Sequence, residues 1–190
     1  MHDLQEEARQ WVKDTYKNAN HLLRAEEWLL HLDPEASEAA VIATVTHDME
    51  RAFPGPDSPK EDFSGGAIDR RYYQAHAARS ARFVSTFLHE HEASEELIEK
   101  VAALIIAHED GGWPEANLVQ AADSLSFLEV NVDMFLHFLQ EPDAKWTREL
   151  VREKFHWMYE RIQIAEAHKQ ATPLYNMAMQ KLDTLDLTST

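Results

Sequence analysis

The sequence predicts an all-α protein: an irregular bundle of about seven or eight helices in a single domain over residues 1–190. Apolar residues recur at the three- and four-residue spacing of buried helix faces along nearly the whole chain. Only five Gly and seven Pro occur, which leaves few turns for a fold of many strands. A chain of this length can bury a large core without disulfide staples.

Composition excludes several classes of site and partner. Cysteine is absent, which rules out disulfides, Cys-rich zinc sites, iron–sulfur clusters and thiol nucleophiles. A formal net charge of -16 argues against a nucleic acid duplex or an anionic membrane as partner, because both are bound mainly through basic patches. Residues 1–20 are charged throughout and contain no apolar run of signal-peptide or membrane-spanning length. We therefore expect a soluble, cytoplasmic protein.

Three helices are predicted before the first long loop. The first covers about residues 4–17, where apolar residues form a stripe. The second begins after a cap at Asn18 or Asn20 and ends near Asp33. Because Asp at the cap with Pro at the first helical position is a typical helix start, we expect the third helix over about residues 34–53.

The segment PGPDSPKEDFSGG, residues 54–66, is predicted to be a loop. It holds three of the seven prolines and three of the five glycines. Loops of this length inside a compact domain are usually functional or disordered. Since this one follows His47 and Asp48 closely, we interpret it as a candidate cover at the entrance of a site.

The remaining helices are separated by clear breaks. Ser94 is expected to cap one of them, and EDGGWP forms a break after His108. The predicted helices cover residues 68–91, 94–108, 117–140, 145–170 and 173–185. We expect a core over about residues 18–135, with the C-terminal helices over 145–185 packing on it.

Six residues are candidate metal ligands, supplied by separate predicted helices: His21, His47, Asp48, His76, His108 and Asp123. No single helix can surround an ion, so ligands from several helices are what a buried site for one or two divalent metals requires. A carboxylate on an apolar helix is costly to bury unless it is paired, hydrogen-bonded or bound to a metal. A metal site explains these residues more simply than six separately satisfied polar groups. Mixed imidazole and carboxylate ligands suit Mn, Fe, Co, Ni or Zn.

The order of these residues resembles the HD-domain superfamily of metal-dependent phosphohydrolases, whose signature is a His, then His-Asp, then a distant Asp, all on helices. His21, His47, Asp48 and Asp123 match it in order, within about residues 18–135. The stretch EASEAAVIATVTHDMERAF, with DSLSFLEV downstream, also resembles a small bacterial branch that is defined by sequence and carries no assigned activity.

The resemblance implies an HD-domain-like fold and a binuclear site. His76 and His108 fall between the dyad and the last Asp, where binuclear members of the superfamily place two further histidines. It implies one metal held by His21, His47, Asp48 and Asp123. It implies a second metal held by His76, His108 and a shared oxygen of Asp48.

The implied activity is hydrolysis of a small phosphate ester, for example a nucleotide, by metal-activated water. Many members carry Lys or Arg three residues after the dyad Asp to hold the substrate's anionic group, and Arg51 fills that place. Six of the 18 Lys and Arg residues lie between positions 51 and 82. The candidate phosphate-binding residues are Arg51, Arg70, Arg71 and Arg79, and the candidate catalytic residues are Asp48, Arg51 and Glu109. Glu109, beside His108, is a candidate for proton handling.

One departure and three alternatives accompany this hypothesis. Met49 and Glu50 replace the Gly-rich continuation common after the dyad, and we interpret Glu50 as a surface residue. The same six ligands could serve a diiron oxygenase. The fold could also be a non-catalytic ligand- or partner-binding module, or the histidines could all be structural. His89, His91 and His137 are assigned to a solvated helix end or to aromatic packing.

Overall fold

The computed structural model describes residues 3–141 and 144–186; the remaining positions of the predicted 1–190 domain lie outside the described residues. The α-helices are α1 (Leu4–Thr15), α2 (Ala19–Leu32), α3 (Glu38–Thr46), α4 (Arg70–Glu90), α5 (Glu95–Ala107), α6 (Pro114–Ser126), α7 (Val132–Phe138), α8 (Arg148–Glu160) and α9 (Ala165–Thr184). A π-helical turn over Phe127–Asn131 joins α6 to α7 without a break. The described part of the chain therefore contains eight continuous helices and no strand, which confirms the predicted all-α class.

α3 is the central helix of the bundle. Residues 39–46 are all buried, and they are apolar apart from two threonines, so the helix has no solvent-facing side. It contacts α1, α2, α5 and α6. Because His47 and Asp48 directly follow this helix, both are delivered to the interior.

The start predicted for α3 is wrong by four residues. Asp33 and Pro34 form a turn, in which the Asp33 side chain accepts a hydrogen bond from the backbone N–H of Glu35. The helix begins only after Ser37, whose Oγ accepts from the N–H of Ala40. The α-helix also ends earlier than predicted, at Thr46, and the chain continues as a 3₁₀ turn over Met49–Ala52.

The C-terminal helices α8 and α9 pack on the π-helical turn and on the end of α6, with which they form a second apolar core.

The break predicted near residue 171 is wrong. The chain instead breaks between Glu160 and Ala165, and Pro173 lies inside α9. A proline inside a helix removes one backbone hydrogen bond. The buried face of α9, which includes Ala171 before Pro173 and Ala178 after it, offsets that loss.

Among the described residues, none of the helices combines the length and the apolar character needed to cross a membrane.

Candidate metal centre

All six predicted ligands are buried and lie together. Their exposed fractions run from 0% for His76 to 8% for Asp48. Ligand atoms within 4.8 Å of one another form three overlapping groups: His21 with His47 and Asp48, His47 with His108 and Asp123, and Asp48 with His76 and His108. The sequence-based grouping of these residues is therefore confirmed as a buried His/Asp cluster that could hold a metal ion.

The helix ends aim the two central residues. His47 caps α3 with helical dihedral angles, whereas Asp48 has φ -99° and ψ 5°, outside the helix, as the chain enters the 3₁₀ turn. Adjacent residues on a continuous helix would diverge by about 100°. Because the α-helix ends at its cap His47 and the chain turns into the 3₁₀ segment after Asp48, both side chains reach the same interior point.

Hydrogen bonds at Nδ1 fix the tautomers of His47 and His108. Nδ1 of His47 lies 2.8 Å from the backbone oxygen of Thr44, and Nδ1 of His108 lies 2.6 Å from that of Ile105. A carbonyl oxygen can only accept, so each Nδ1 must carry the proton. In the neutral rings, each Nε2 then presents a lone pair to the interior, which is the form that binds a metal.

The other two histidines are held in the same way. Nδ1 of His76 lies 2.9 Å from Oε1 of Glu50, a carboxylate that accepts a hydrogen bond from it. Nδ1 of His21 lies 2.9 Å from Oγ of Ser126. Since the Ser126 hydroxyl donates to the backbone oxygen of His21 at 2.7 Å, its Oγ is left to accept from Nδ1. All four Nε2 atoms are thus free to face the cluster.

Glu50 corrects a sequence-based interpretation. It is only 4% exposed, not a surface residue, because it sits between His76 and Arg79. Its backbone N–H donates to Ser80. Carboxylates of this kind orient metal-binding histidines in many proteins.

The distances between ligand atoms fit a shared cation. Asp123 Oδ1 lies 3.1 Å from Nε2 of His21 and 3.4 Å from Nε2 of His47. Asp48 Oδ1 lies 2.8 Å from Nε2 of His76, yet that nitrogen is a buried polar atom with no hydrogen-bond partner among the described residues. Two ligands about 2.1 Å from one ion lie about 3.0 Å apart at a right angle and about 3.4 Å apart at the tetrahedral angle. The atoms are placed side by side, as ligands of one ion are.

The electrostatics of the cluster favour a positive charge at its centre. Burial lowers the pKa of His47, but Asp123 and Asp48 outweigh burial and raise it to about 9. Burial raises the pKa of Asp123, but Arg161 and His47 bring it well below its usual range. Burial likewise acts against Asp48, whose pKa Arg51, His76 and His47 hold well below the usual range. Both carboxylates are therefore ionised.

Arg161 is a residue of the site that the sequence did not indicate. It follows α8, and its guanidinium forms ion pairs with Asp123 and with Glu109. Its Nε donates to Ser124 Oγ at 2.8 Å, and its charge lies 4.5 Å from the centre of the Trp157 ring. No motif marks it, because it lies far along the chain from the ligands it supports.

Glu109 lies in the site, as predicted. Its Oε1 is 3.4 Å from Nε2 of His108. Burial raises its pKa, but His108 and Arg161 together lower it well below the usual range. Whether it handles a proton stays a prediction; the structure shows a carboxylate that forms an ion pair with Arg161 and lies beside His108.

One of the four predicted phosphate-binding arginines lines the cavity, and the other three lie elsewhere. Arg51 lines the cavity, with Nε 3.3 Å from Asp48 Oδ1. Arg79 was expected there but is directed elsewhere, since its donors bond Glu50, Asp57 and the Phe53 backbone. Arg70 and Arg71 are exposed on the surface outside the cavity. Of these four arginines, Arg51 is the one that faces the cluster.

A cavity of about 320 Å³ opens on one side of the cluster. Its polar wall includes Asp48, Arg51 and Lys154. Its other walls are largely aromatic and apolar: Tyr16, Tyr72, Tyr73, Phe127, Met134, Phe135, Phe138, Trp146 and Met158. A small molecule with an anionic group and an apolar part fits such a lining.

The loop over residues 54–66 touches both the cavity and the bundle. Glu61 lines the cavity, and Asp57 pairs with Arg79. Residues 63–65 form a short 3₁₀ turn inside this otherwise irregular segment. Whether the loop covers a substrate stays a prediction.

Comparison with known proteins gives one family. Residues 2–177 match the family described as "Domain of unknown function (DUF4202)". No curated protein and no solved structure matches the chain. The match includes all six candidate ligands and Arg161, so the whole cluster lies within the family's span.

Proposed function

The chain belongs to the DUF4202 family, whose description assigns no activity, and we propose that it is a metal-dependent phosphohydrolase of small phosphate esters, such as nucleotides. The order of its ligands resembles that of the HD-domain superfamily, and the proposed activity follows from this resemblance together with the site. The proposed ligands are His21, His47, Asp48, His76, His108 and Asp123.

One observation carries the metal part of the proposal: four buried histidines have Nδ1 engaged by hydrogen bonds that leave Nε2 directed to one cluster. A histidine satisfied inside an apolar core needs no carboxylate beside its second nitrogen. Here Asp123 and Asp48 lie beside three of the four Nε2 atoms. This is the arrangement expected for a site with one or two divalent ions.

The cavity supports the phosphate part of the proposal. When bound, divalent ions supply an activated water for attack on phosphorus and neutralise charge on the phosphoryl oxygens. Arg51 is the chain's own group for the substrate's anion, since its guanidinium faces the cavity and can form paired hydrogen bonds with a phosphate. Tyr16 donates from its hydroxyl to Asp48 Oδ2 at 3.3 Å, which holds that carboxylate toward the cluster.

Elemental analysis with an activity screen tests the proposal. Untagged wild-type protein, Asp48→Ala and the exposed control Asp14→Ala would be measured for Mn, Fe, Co, Ni and Zn, with circular dichroism to check folding. The same samples would be assayed for phosphate release from p-nitrophenyl phosphate and nucleoside monophosphates.

We expect bound metal and phosphate release in the wild type and in the control, and neither in Asp48→Ala. Bound iron with consumption of O₂ and no phosphate release would replace the hydrolase with the oxygenase alternative. Absence of metal from the wild type after soaking in each ion would contradict both enzyme hypotheses and leave the binding module.

A further inference from the structure

Lys154 is a buried cation that the metal cluster does not use. It lies on α8, is 8% exposed and lines the same cavity as Arg51 and Asp48. Its Nζ donates one hydrogen bond, to the hydroxyl of Tyr73 at 3.0 Å. Within residues 3–141 and 144–186 it forms no ion pair with a carboxylate, so two of its three N–H groups have no acceptor there.

Aromatic rings hold the ammonium group in place. Nζ lies 4.5 Å from the ring centre of Trp157, 4.7 Å from that of Tyr73 and 5.4 Å from that of Phe127. Such contacts stabilise a cation only in part. The Tyr73 hydroxyl also donates to the backbone oxygen of Ala67 at 3.4 Å, so its lone pair is turned to Lys154.

The position is costly for a structural residue. A buried charge without a counter-ion destabilises a fold, and a hydrophobic side chain of similar size would stabilise this aromatic pocket better. Burial accordingly lowers the pKa of Lys154 to about 8, with Arg161 and Arg51 also disfavouring its charge and Glu109 and Asp123 favouring it. The amine still carries a proton in most molecules at neutral pH. The ammonium group is therefore available to pair with an anion that enters the cavity.

We propose that Lys154, positioned by Tyr73, is an anion-binding residue of the cavity and contacts the phosphate group of the bound ester together with Arg51. This inference rests on the proposed function for the identity of the anion. It gives the cavity a second cation in place of the one expected from Arg79. It also places a substrate-binding residue on α8, outside the span of residues that carries the metal ligands.

Binding of inorganic phosphate tests this without any need for turnover. Isothermal titration calorimetry would be run on the protein with the metal it carries, comparing wild type with Lys154→Met, Lys154→Arg and the exposed control Lys100→Met. We expect phosphate to bind at least tenfold more weakly to Lys154→Met. Lys154→Arg should recover part of that loss, and Lys100→Met should bind like the wild type.

A thermal melt separates a binding role from a structural one. If Lys154 serves an anion, Lys154→Met should melt no lower than the wild type, because a buried charge is replaced by an apolar chain. Tyr73→Phe provides a second variant, which removes the hydroxyl that accepts a hydrogen bond from Nζ and should weaken phosphate binding severalfold.

Phosphate affinity of Lys154→Met within twofold of the wild type would overturn the inference, as would a wild type that does not bind phosphate. If phosphate binding depends on Lys154 but no ester is hydrolysed, the inference stands and the proposed hydrolase activity fails. The two proposals can therefore fail separately.

Discussion

Glu50 accepts a hydrogen bond from Nδ1 of His76 at 2.9 Å, while the other nitrogen of the same ring lies 2.8 Å from Asp48 Oδ1. Arg79 donates to the second carboxylate oxygen of Glu50 at 2.8 Å. The buried Glu50–Arg79 ion pair is thereby connected to Asp48 through the imidazole of His76. Glu50 fixes the neutral tautomer of His76 that carries its proton on Nδ1, so the lone pair of Nε2 is directed to the cluster, and it raises the basicity of that nitrogen.

Replacing Glu50 should weaken metal binding without removing a ligand. The carboxylate of Glu50 accepts one hydrogen bond from His76 and another from Arg79, one at each oxygen. The amide of Glu50→Gln has a single oxygen and no charge, so His76 is held less firmly and becomes less basic. We expect metal affinity to fall roughly 10- to 100-fold, the usual effect of losing such a partner. Competition with a chromophoric chelator would measure it. The exposed control Glu99→Gln should keep wild-type affinity, and an unchanged affinity in Glu50→Gln would contradict the role given to Glu50.

The number of bound ions should separate Asp48 from His76. Asp48 belongs to two of the three ligand groups, whereas His76 belongs to one. In a binuclear site, His76→Ala should therefore retain about one ion per chain, and Asp48→Ala should lose both. Elemental analysis of dialysed protein gives the ratio. Equal metal loss in the two variants would argue for a single ion.

Arg161 should contribute strongly to stability. Its removal in Arg161→Met leaves Asp123 and Glu109 buried without their counter-ion, so we expect a loss of roughly 3–5 kcal/mol in the free energy of unfolding. Arg152→Met, which breaks a surface pair with Asp183, should cost less than about 1 kcal/mol. Urea denaturation of metal-free protein would compare them. Equal losses would show that the Arg161 pairs add nothing beyond a surface pair.

Stability of the metal-free protein should fall as the pH rises above neutrality. The pKa of His47 is raised from 6.5 to about 9, so protonation of His47 stabilises the fold fully below pH 6.5 and is lost as the pH rises through 9. The change corresponds to about 3 kcal/mol. A metal takes the place of this proton, so bound metal should abolish the slope. Thermal melts from pH 6 to 9.5, with and without metal, would show it, and equal slopes in the two series would count against the assignment.

Stability of the metal-free protein should also fall at acidic pH, because Asp48 and Asp123 become protonated. The pKa values of Asp48 and Asp123 are lowered, so their ionised forms stabilise the fold above the unfolded value of about 3.9, and this stabilisation is lost as the pH falls below it. Melts of the metal-free protein should show a steep decrease in stability as the pH falls from about 4 to about 2. An Asp123→Asn variant should show a shallower one.

The fold class could be predicted because helical periodicity, few glycines and few prolines are properties of the chain itself. The boundaries were harder, since Asp33 with Pro34 suits a turn as well as a helix start, and Pro173 is tolerated inside α9 by burial of its neighbours. At both positions the proline is locally compatible with a helix start. Tertiary packing decides that the first lies in a turn and the second inside a helix.

The six ligands could be predicted because their residue types and order carry chemical meaning on their own. Glu50 was misassigned because a charged residue just past a helix end is usually exposed. Arg79 was expected to bind phosphate with the neighbouring arginines, and only the fold shows that it pairs with Glu50 beside His76. Arg161 and Lys154 had no signal, since each lies distant in sequence from the groups it meets.

By itself, then, the sequence determined that the protein is helical and which imidazoles and carboxylates converge. Helical periodicity and the types of the ligand residues are properties of the chain that need no tertiary structure. The tertiary structure decided which nitrogen of each histidine faces the cluster, which cations face the cavity and which are consumed in ion pairs. Those properties depend on atoms brought within about 3 Å of one another by helices far apart in the chain, and no local pattern records that distance.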